Sequence, residues 1–243
     1  MLKVKISATP STSSYLRQYS REQELTREVL VWTDNQYNGR GQQGAYWESE
    51  PYKNLTLSVF KQVNGLGVDK QFHITMATSL ALWELLIDIG IEDVAVKWPN
   101  DILSGGRKIC GILIESVVRS HELQAVIIGI GLNVNQTEFM RAPRATSVKL
   151  ETGKALELEP LLDMVVQKFQ HYINLVTLGK FVAIKKEYEE VLFRKEAVSV
   201  FQNPKGNFFN AIIKGVTRQG KLLLQMEDDS IMEFDSKEAV LQY

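Results

Sequence analysis

The 243-residue chain is poor in the residues that build several whole classes of site. It has one cysteine, Cys110, which excludes an intramolecular disulfide framework and every multi-cysteine zinc pattern. Its three histidines, His73, His121 and His171, lie too far apart to share metal-ligand spacing. No stretch approaches the ~20 consecutive apolar residues of a membrane span. The longest apolar-rich segment, Met76 to Ile89, is interrupted by Glu84 and Asp88. Nor does Met1 to Lys5 contain the apolar run of a signal peptide, so the expectation is a soluble, cytoplasmic protein. Charge of one sign is missing too. With 28 Lys+Arg against 29 Asp+Glu, a net charge of -1 argues against a chain built chiefly to grip nucleic acid or an anionic membrane. There is no serine-centred nucleophile elbow, no Walker loop and no internal repeat.

What remains is ordinary globular composition, 44% hydrophobic and 23% charged, enough for one large domain with a small appendage. Glu28–Thr33 reads as a buried strand and Asn54–Phe60 as a half-buried, alternating one. Between them, Asp34–Lys53 has no apolar period, and a connection this long is usually functional or disordered. Phe72–Ile89 reads as a helix with Met76, Leu80, Trp83 and Ile87 on one face and Gly90 as terminator. Strands are expected at Val94–Lys97, Lys108–Val118 and Leu123–Ile130. Helices are expected at about Pro160–Leu178 and Phe181–Leu192. After Phe193 four short apolar runs alternate with turns rich in Gly, Asn and Asp, the texture of a small barrel of about 50 residues. The expected fold is therefore α+β. A mixed β-sheet backed by helices occupies residues 1–193, and a small β-barrel occupies 194–243.

Four segments can carry chemistry. Asn38–Gly44 combines three glycines, which allow close backbone approach, with Arg40, which can hold a phosphate or carboxylate through two parallel hydrogen bonds. Lys97-Trp98-Pro99-Asn100-Asp101 ends a strand in a cation, a rigid turn, an amide and a carboxylate; Asn100 and Asp101 are candidate magnesium ligands. In Lys108-Ile109-Cys110-Gly111-Ile112-Leu113, Gly111 leaves room for a ligand. Strict alternation puts Lys108 on the face opposite Gly111, so Lys108 needs a bulge or loop to meet that ligand. Gly129-Ile130-Gly131-Leu132-Asn133 thins a strand end and offers an amide there, without the third glycine or the helix of a dinucleotide fingerprint. Cys110 reads as a small buried hydrophobe, not a nucleophile.

Taken in order, Ser11-Thr12, the glycine–arginine loop, Lys97-Trp98-Pro99-Asn100-Asp101, Lys108 with Gly111-Ile112-Leu113, and Gly129-x-Gly131-x-Asn133 closely resemble the biotin–protein ligases. The resemblance runs from about residue 8 through the C-terminal barrel. It implies a class II synthetase-like catalytic domain followed by an SH3-like domain. It also implies an ATP-dependent reaction that forms biotinyl-5'-AMP and pyrophosphate and then biotinylates a lysine of a carboxylase's biotin carboxyl carrier domain. Biotin, ATP and Mg2+ are the implied small molecules. Lys108 and Arg40 are the implied catalytic residues, neutralising carboxylate and phosphate. Biotin would be held by Ser11, Thr12, Ser13, Gln36, Gly39, Arg40, Gly41, Gln42, Lys108, Gly111, Leu113 and Gly129. The adenylate would meet Arg40, Trp47, Asn100, Asp101, Lys108, Gly131 and Asn133, with Asn133 reading adenine.

Departures from the family pattern matter. Gln42, Gln43 and Ala45 stand where arginines are common, which bears on how tightly the intermediate is retained, and Ser13 replaces the usual asparagine. Ten residues ahead of Ser11 are too few for a DNA-binding domain, so no repressor function is expected. Neither is a nucleic-acid or membrane partner. Family members often pair through the sheet, which leaves a homodimer open. Lipoate ligases and octanoyl transferases share the catalytic fold, but the Lys97–Asp101 motif and the barrel speak for biotin. A sensor that has lost transfer activity is the other alternative, supported by Gln42 and opposed by Arg40 and Lys108.

Overall fold

The computed structural model describes residues 1–23, 25–63, 67, 70–119 and 122–243. His121 lies outside the described residues. The architecture is the expected α+β one: a seven-stranded mixed sheet with helices on both faces, followed by a five-stranded antiparallel sheet.

The large sheet consists of β1 (Leu2–Thr9), β2 (Val29–Gln36), β5 (Leu55–Gln62), β6 (Val94–Lys97), β7 (Asp101–Ser104), β8 (Arg107–Arg119) and β9 (Glu122–Leu132). They lie in the order β1-β2-β5-β9-β8-β7-β6. The β1–β2 pair is parallel and the other pairs are antiparallel. β1 was not anticipated. Its Leu2, Val4 and Ile6 alternate with Lys3, Lys5 and Ser7, as suits an edge strand with one face toward water.

Two cores flank this sheet. The larger packs Leu30, Trp32, Leu57, Val126, Ile128 and Ile130 against α2 (Gln71–Asp88), α4 (Leu158–Thr177) and α5 (Phe181–Glu190). The smaller joins Leu16 of α1 (Thr12–Glu22) to Val29, Val31, Phe60, Ala125 and Ile127. α1 was not anticipated either, because its apolar contribution is little more than Leu16 and Tyr19.

The expected single face of α2 is corrected by the structure. Met76 and Leu80 are buried, but Ile87 is 44% exposed, whereas Ile74, Ala77, Ala81, Leu82, Leu85 and Leu86 are all buried. The helix lies between the sheet and two other helices, so apolar residues surround most of it and a one-stripe reading fails. Gly90 does end it, at φ 83°, a left-handed conformation that glycine adopts without penalty. α4 starts two residues before Pro160 and stops before Gly179, with Leu162, Val165, Phe169, Tyr172 and Val176 buried as expected. A short helix, α3 (Val148–Thr152), is capped by Ser147, whose hydroxyl accepts from Leu150 N.

The C-terminal sheet runs β13-β12-β11-β10-β14, formed from β10 (Val198–Gln202), β11 (Phe208–Val216), β12 (Leu222–Gln225), β13 (Ile231–Phe234) and β14 (Val240–Gln242). The last of these adds to the four expected runs. Phe201, Ala211, Ile213, Leu222 and Leu224 are buried in the same continuous core as α2 and α5. Two polar contacts reinforce the join. Trp98 Nε1 donates to Gly220 O at 2.8 Å, and Val216 N donates to a Glu189 carboxylate oxygen at 2.9 Å.

Candidate active site

The sheet face that carries α1 changes character along its length. At one end Leu16 covers large apolar residues. At the other, the paired positions are Ser58, Gly129 and Leu113 in one row and Thr56, Gly131, Gly111 and Asp101 in the next. Small residues leave a hollow of about 210 Å³ between sheet, α1 and the segment 36–47. Its lining includes Ser11, Thr12, Ser13, Gln36, Arg40, Gly41, Gln42, Trp47, Lys108, Gly111, Leu113 and Gly129. These are expected site residues brought together from four separate stretches of chain.

One wall is a chain of polar contacts at the start of α1. Ser11 caps the helix. Thr12 N donates to Gln36 Oε1 at 2.9 Å, and Thr12 Oγ1 and Ser13 Oγ both share hydrogen bonds with Ser58 Oγ, at 2.8 and 2.9 Å. All five side chains are buried, so a ligand here meets polar groups in a setting shielded from water. Ser58 escaped the sequence reading. Asn54, Thr56 and Ser58 looked like the wet face of a half-buried strand, but β5 is central and its polar face turns to this hollow. The polar alternation was the available signal.

The opposite wall depends on glycine. A Cβ on Gly129 would lie 2.7 Å from Ser13 Oγ; on Gly111, 2.8 Å from Trp47 and 3.3 Å from Lys108 Nζ; on Gly131, 2.4 Å from Trp47. Trp47 therefore lies flat on two glycines, as the apolar anchor that the segment 34–53 seemed to lack. That segment contains a small hairpin, β3 (Gly39–Arg40) with β4 (Tyr46–Trp47). Gly39 supports it from behind, since a Cβ there would meet Trp47 O at 2.6 Å and Gln36 Nε2 at 2.8 Å. Arg40 donates to Ser14 Oγ at 2.7 Å and lies 3.9 Å from Glu115 Oε1, which Arg17 also approaches at 3.2 Å.

Lys108 reaches Gly111 by the device that its position demands. Ile102 pairs with Cys110 but Leu103 pairs with Lys108, so Ile109 is an extra residue in β8. That bulge moves Lys108 to the face of Asp101 and Gly111. Its ammonium lies 2.6 Å from Asp101 Oδ1, and Lys97 lies 3.8 Å from Asp101 Oδ2. Burial holds the Lys97 ammonium below its ordinary range, with Lys108 and Arg144 adding repulsion against the pull of Asp101. Asn100 is otherwise engaged: its amide donates to Ile112 O at 2.7 Å, fastening the turn to β8. Cys110 faces the other core, where burial pushes its thiol far up.

A second chamber of about 330 Å³ adjoins the first, sharing Tyr46, Trp47 and Lys108 with it. Phe139, Ala142, Pro143 and Ala145 make its other walls mainly apolar, and Arg144 and Tyr243 also line it. Asn133 is buried at its edge, donating to Thr146 O at 3.0 Å. Among the described residues neither its Oδ1 nor the buried Trp47 Nε1 has a hydrogen-bond partner. Two unmet polar atoms beside an apolar slot mark a place for a flat ligand with polar edges. Nothing singled out residues 139–145 or Tyr243 beforehand, because their loop and barrel tail carry no local pattern. Among the described residues no three His, Cys, Asp or Glu cluster as a metal site, and no helix is long and apolar enough to cross a membrane.

The chain is similar to known proteins. The model of the Biotin/lipoate A/B protein ligase family matches residues 6–133. The bifunctional ligase/repressor of Bacillus subtilis is 29% identical over 215 residues, 82% of this chain and 62% of that protein. The chain thus spans under two thirds of that relative's length. The biotin–[acetyl-CoA-carboxylase] ligase of Paracoccus denitrificans is 34% identical over 155 residues, 61% of this chain and 64% of that one. Among solved structures, the biotin protein ligase from Aquifex aeolicus in complex with biotin and ATP superimposes with a TM-score of 0.82 at 23% identity, covering 99% of this chain and 98% of that one.

Proposed function

Since the chain belongs to the Biotin/lipoate A/B protein ligase family, we propose that it is an ATP-dependent biotin–protein ligase. The observation that carries this reading is the placement of Lys108, raised by the Ile109 bulge to the boundary between a polar, glycine-walled hollow and an apolar chamber with an unmet amide oxygen.

Biotin enters the first hollow with its ureido ring toward Ser11, Thr12, Ser13, Gln36 and Ser58. Its ring system lies against Gly111, Leu113 and Gly129, and its carboxylate points at Lys108. ATP enters the second chamber, where Asn133 Oδ1 accepts from the adenine amino group. The α-phosphate then meets the carboxylate beside Lys108, with Arg40 and Gln42 on the loop side. Both reactants are anionic, so the reaction needs a fixed cation between them. The carboxylate oxygen bonds to the α-phosphorus as the bond to the bridging oxygen breaks, and pyrophosphate leaves with that electron pair. A carrier lysine, from the biotin carboxyl carrier domain of a carboxylase, then attacks the mixed anhydride and AMP departs.

Asn100 and Asp101 do not fit a magnesium ion held by the protein. Asn100 has only its side-chain oxygen to offer, its amide nitrogen being committed to Ile112 O, and Asp101 sits between two ammonium groups. Magnesium is accordingly written as part of the nucleotide substrate. The division near Phe193 belongs to the same proposal, with the catalytic machinery before it and the SH3-like domain after it.

The test is incubation with MgATP, a carrier domain, and either biotin or lipoate, followed by weighing the carrier. A mass gain of one biotin supports the proposal. Lipoylation alone, or no transfer with either acid, overturns it.

A further inference from the structure

The functional reading asks Arg40 for a phosphate, yet its guanidinium is bound outside the hollow. Arg40 is the single cation between Asp34 and Tyr52, with Gln42 and Gln43 beside it. Its Nη2 donates to Ser14 Oγ at 2.7 Å and lies 3.9 Å from Glu115 Oε1. Glu115 follows Leu113 by two residues in β8 and pairs with Ile127. Alternation therefore places it on the same face as Leu113, one row behind the hollow. Ile127 in that row belongs to the smaller core under α1. From α1 itself, Arg17 Nη2 comes within 3.2 Å of the same Glu115 Oε1. The other carboxylate oxygen, Oε2, is buried and has no hydrogen-bond partner among the described residues. A carboxylate shielded in this way keeps its charge through the cations beside it. One of those cations is carried by a helix and the other by a loop. With Arg17 in place, Arg40 can leave without stranding the carboxylate. With Glu115 in place, any phosphate in the hollow must compete for Arg40.

We propose that Glu115 is a positioning residue that holds Arg40 back from the phosphate of biotinyl-adenylate, and that Arg17 sets how strongly it does so. This deepens the reading of the hollow as an adenylate site and rests on it. The phosphate of the mixed anhydride carries a single negative charge, and so does the Glu115 carboxylate. Arg40 can turn its paired donors to only one of them at a time. Equal charge on the two anions means that Arg40 divides between them, with the Ser14 hydrogen bond added on the Glu115 side. Retention of the adenylate falls with the fraction of time that Arg40 spends at Glu115. Arg17 draws on the same carboxylate oxygen and so loosens the hold of Glu115 on Arg40. Glu115 acts without touching the ligand, since Leu113 stands between it and the hollow. Unreacted biotin brings no phosphate, and its carboxylate is assigned to Lys108, so the restraint acts on the intermediate and not on the free acid.

The experiment supplies labelled biotinyl-adenylate ready-made and measures its dissociation rate from wild type, Glu115→Gln, Glu115→Asp, Arg17→Gln, Arg40→Gln and the Arg40→Gln/Glu115→Gln double variant. Titration calorimetry gives the affinity of each for biotin without ATP. Glu115→Gln should slow release of the adenylate by about three- to tenfold, while biotin affinity stays within about twofold. Arg17→Gln should act in the opposite direction and speed release by about threefold, because Glu115 then has Arg40 alone. Glu115→Asp keeps the charge and should lie nearer to wild type than Glu115→Gln. In the Arg40→Gln background, Glu115→Gln should change the rate by less than about twofold, since no loop cation remains to be restrained. Unchanged or faster release from Glu115→Gln overturns the proposal, and so does equal slowing in the Arg40→Gln background. A parallel loss of biotin affinity in Glu115→Gln would make Glu115 a structural residue and overturn it too. A wild type that shows the Arg40-dependent effect but makes no biotinyl-adenylate from biotin and ATP overturns the functional reading instead. A wild type that does not bind the adenylate overturns both.

Discussion

Lys108 pairs with Asp101, N to O 2.6 Å, across a bulge in β8 that Ile109 makes between Lys108 and Cys110. The carboxylate holds the ammonium over Gly111, at the boundary where the two reacting anions would meet. Replacing Lys108 with alanine should lower the rate of biotin-dependent pyrophosphate release by more than about a hundredfold, because fixed charge acts mainly as the transition state forms. Lys108 is partly exposed, so the variant should fold. Transfer from pre-made biotinyl-adenylate should suffer less. A release rate within tenfold of wild type would remove Lys108 from the chemistry.

Much of this geometry could be read from residue types. Alternation shows that Lys108 and Gly111 cannot share a face without an irregularity, and the structure has a bulge at Ile109. The glycines at 111, 129 and 131 imply close approach by something, but not that Trp47 is part of what approaches. Ser58 stayed hidden because a polar residue alternating in a strand looks the same whether it faces water or an internal cavity. Arg144 and Tyr243 were illegible for a different reason. Their placement comes from the C-terminal sheet folding back on the loop that pairs with β8, a contact between residues 99 positions apart that no local pattern encodes.

Gly131 is the floor under Trp47, and a methyl group there would fall 2.4 Å from the indole. Gly131→Ala should therefore displace Trp47 and open the boundary between hollow and chamber. The expected result is faster escape of the adenylate and easier protease cleavage within residues 34–53, while biotin plus ATP should protect this segment in the wild type. Equal cleavage of wild type with and without the two ligands would count against a ligand-closed roof.

Asn133 lies at the edge of the second chamber with its amide nitrogen committed to Thr146 O and, among the described residues, no partner for its buried Oδ1. Adenine offers an amino donor at such a point, whereas guanine offers a carbonyl. Asn133→Ala should weaken ATP by about tenfold, in keeping with loss of one buried hydrogen bond, and narrow the preference for ATP over GTP. An unaltered ATP/GTP ratio would mean that the base lies elsewhere.

Cys110 is fully buried, and burial pushes its thiol well above an ordinary value near 9.0. The folded state thus favours the protonated thiol more than the unfolded state does. The resulting stabilisation is complete below pH 9 and is lost as pH rises toward the folded value. The stability advantage of wild type over Cys110→Ala should shrink above pH 9, at a rate approaching about 1.4 kcal/mol per pH unit. Urea unfolding of both proteins from pH 7 to 10 measures it, and parallel curves would refute the assignment. Iodoacetamide should leave the native thiol unmodified below pH 9.

Gln42 lines the hollow on the loop side, at a position where the family resemblance leads one to expect arginine. A glutamine amide can donate to a phosphate oxygen but brings no charge. A charge-assisted contact there would be worth roughly 1.5–3 kcal/mol net, or about ten- to a hundredfold in retention of the adenylate. Arg40 is engaged elsewhere, since its guanidinium donates to Ser14 and faces Glu115. Gln42→Arg should therefore slow release of biotinyl-adenylate by about tenfold or more while leaving biotin affinity without ATP nearly constant, because the unreacted acid has no phosphate to hold. The measurement is the dissociation rate of labelled adenylate from wild type and variant. An equal or faster rate in the variant would mean that residue 42 does not face the phosphate, or that Arg40 swings over from Glu115 once the adenylate forms.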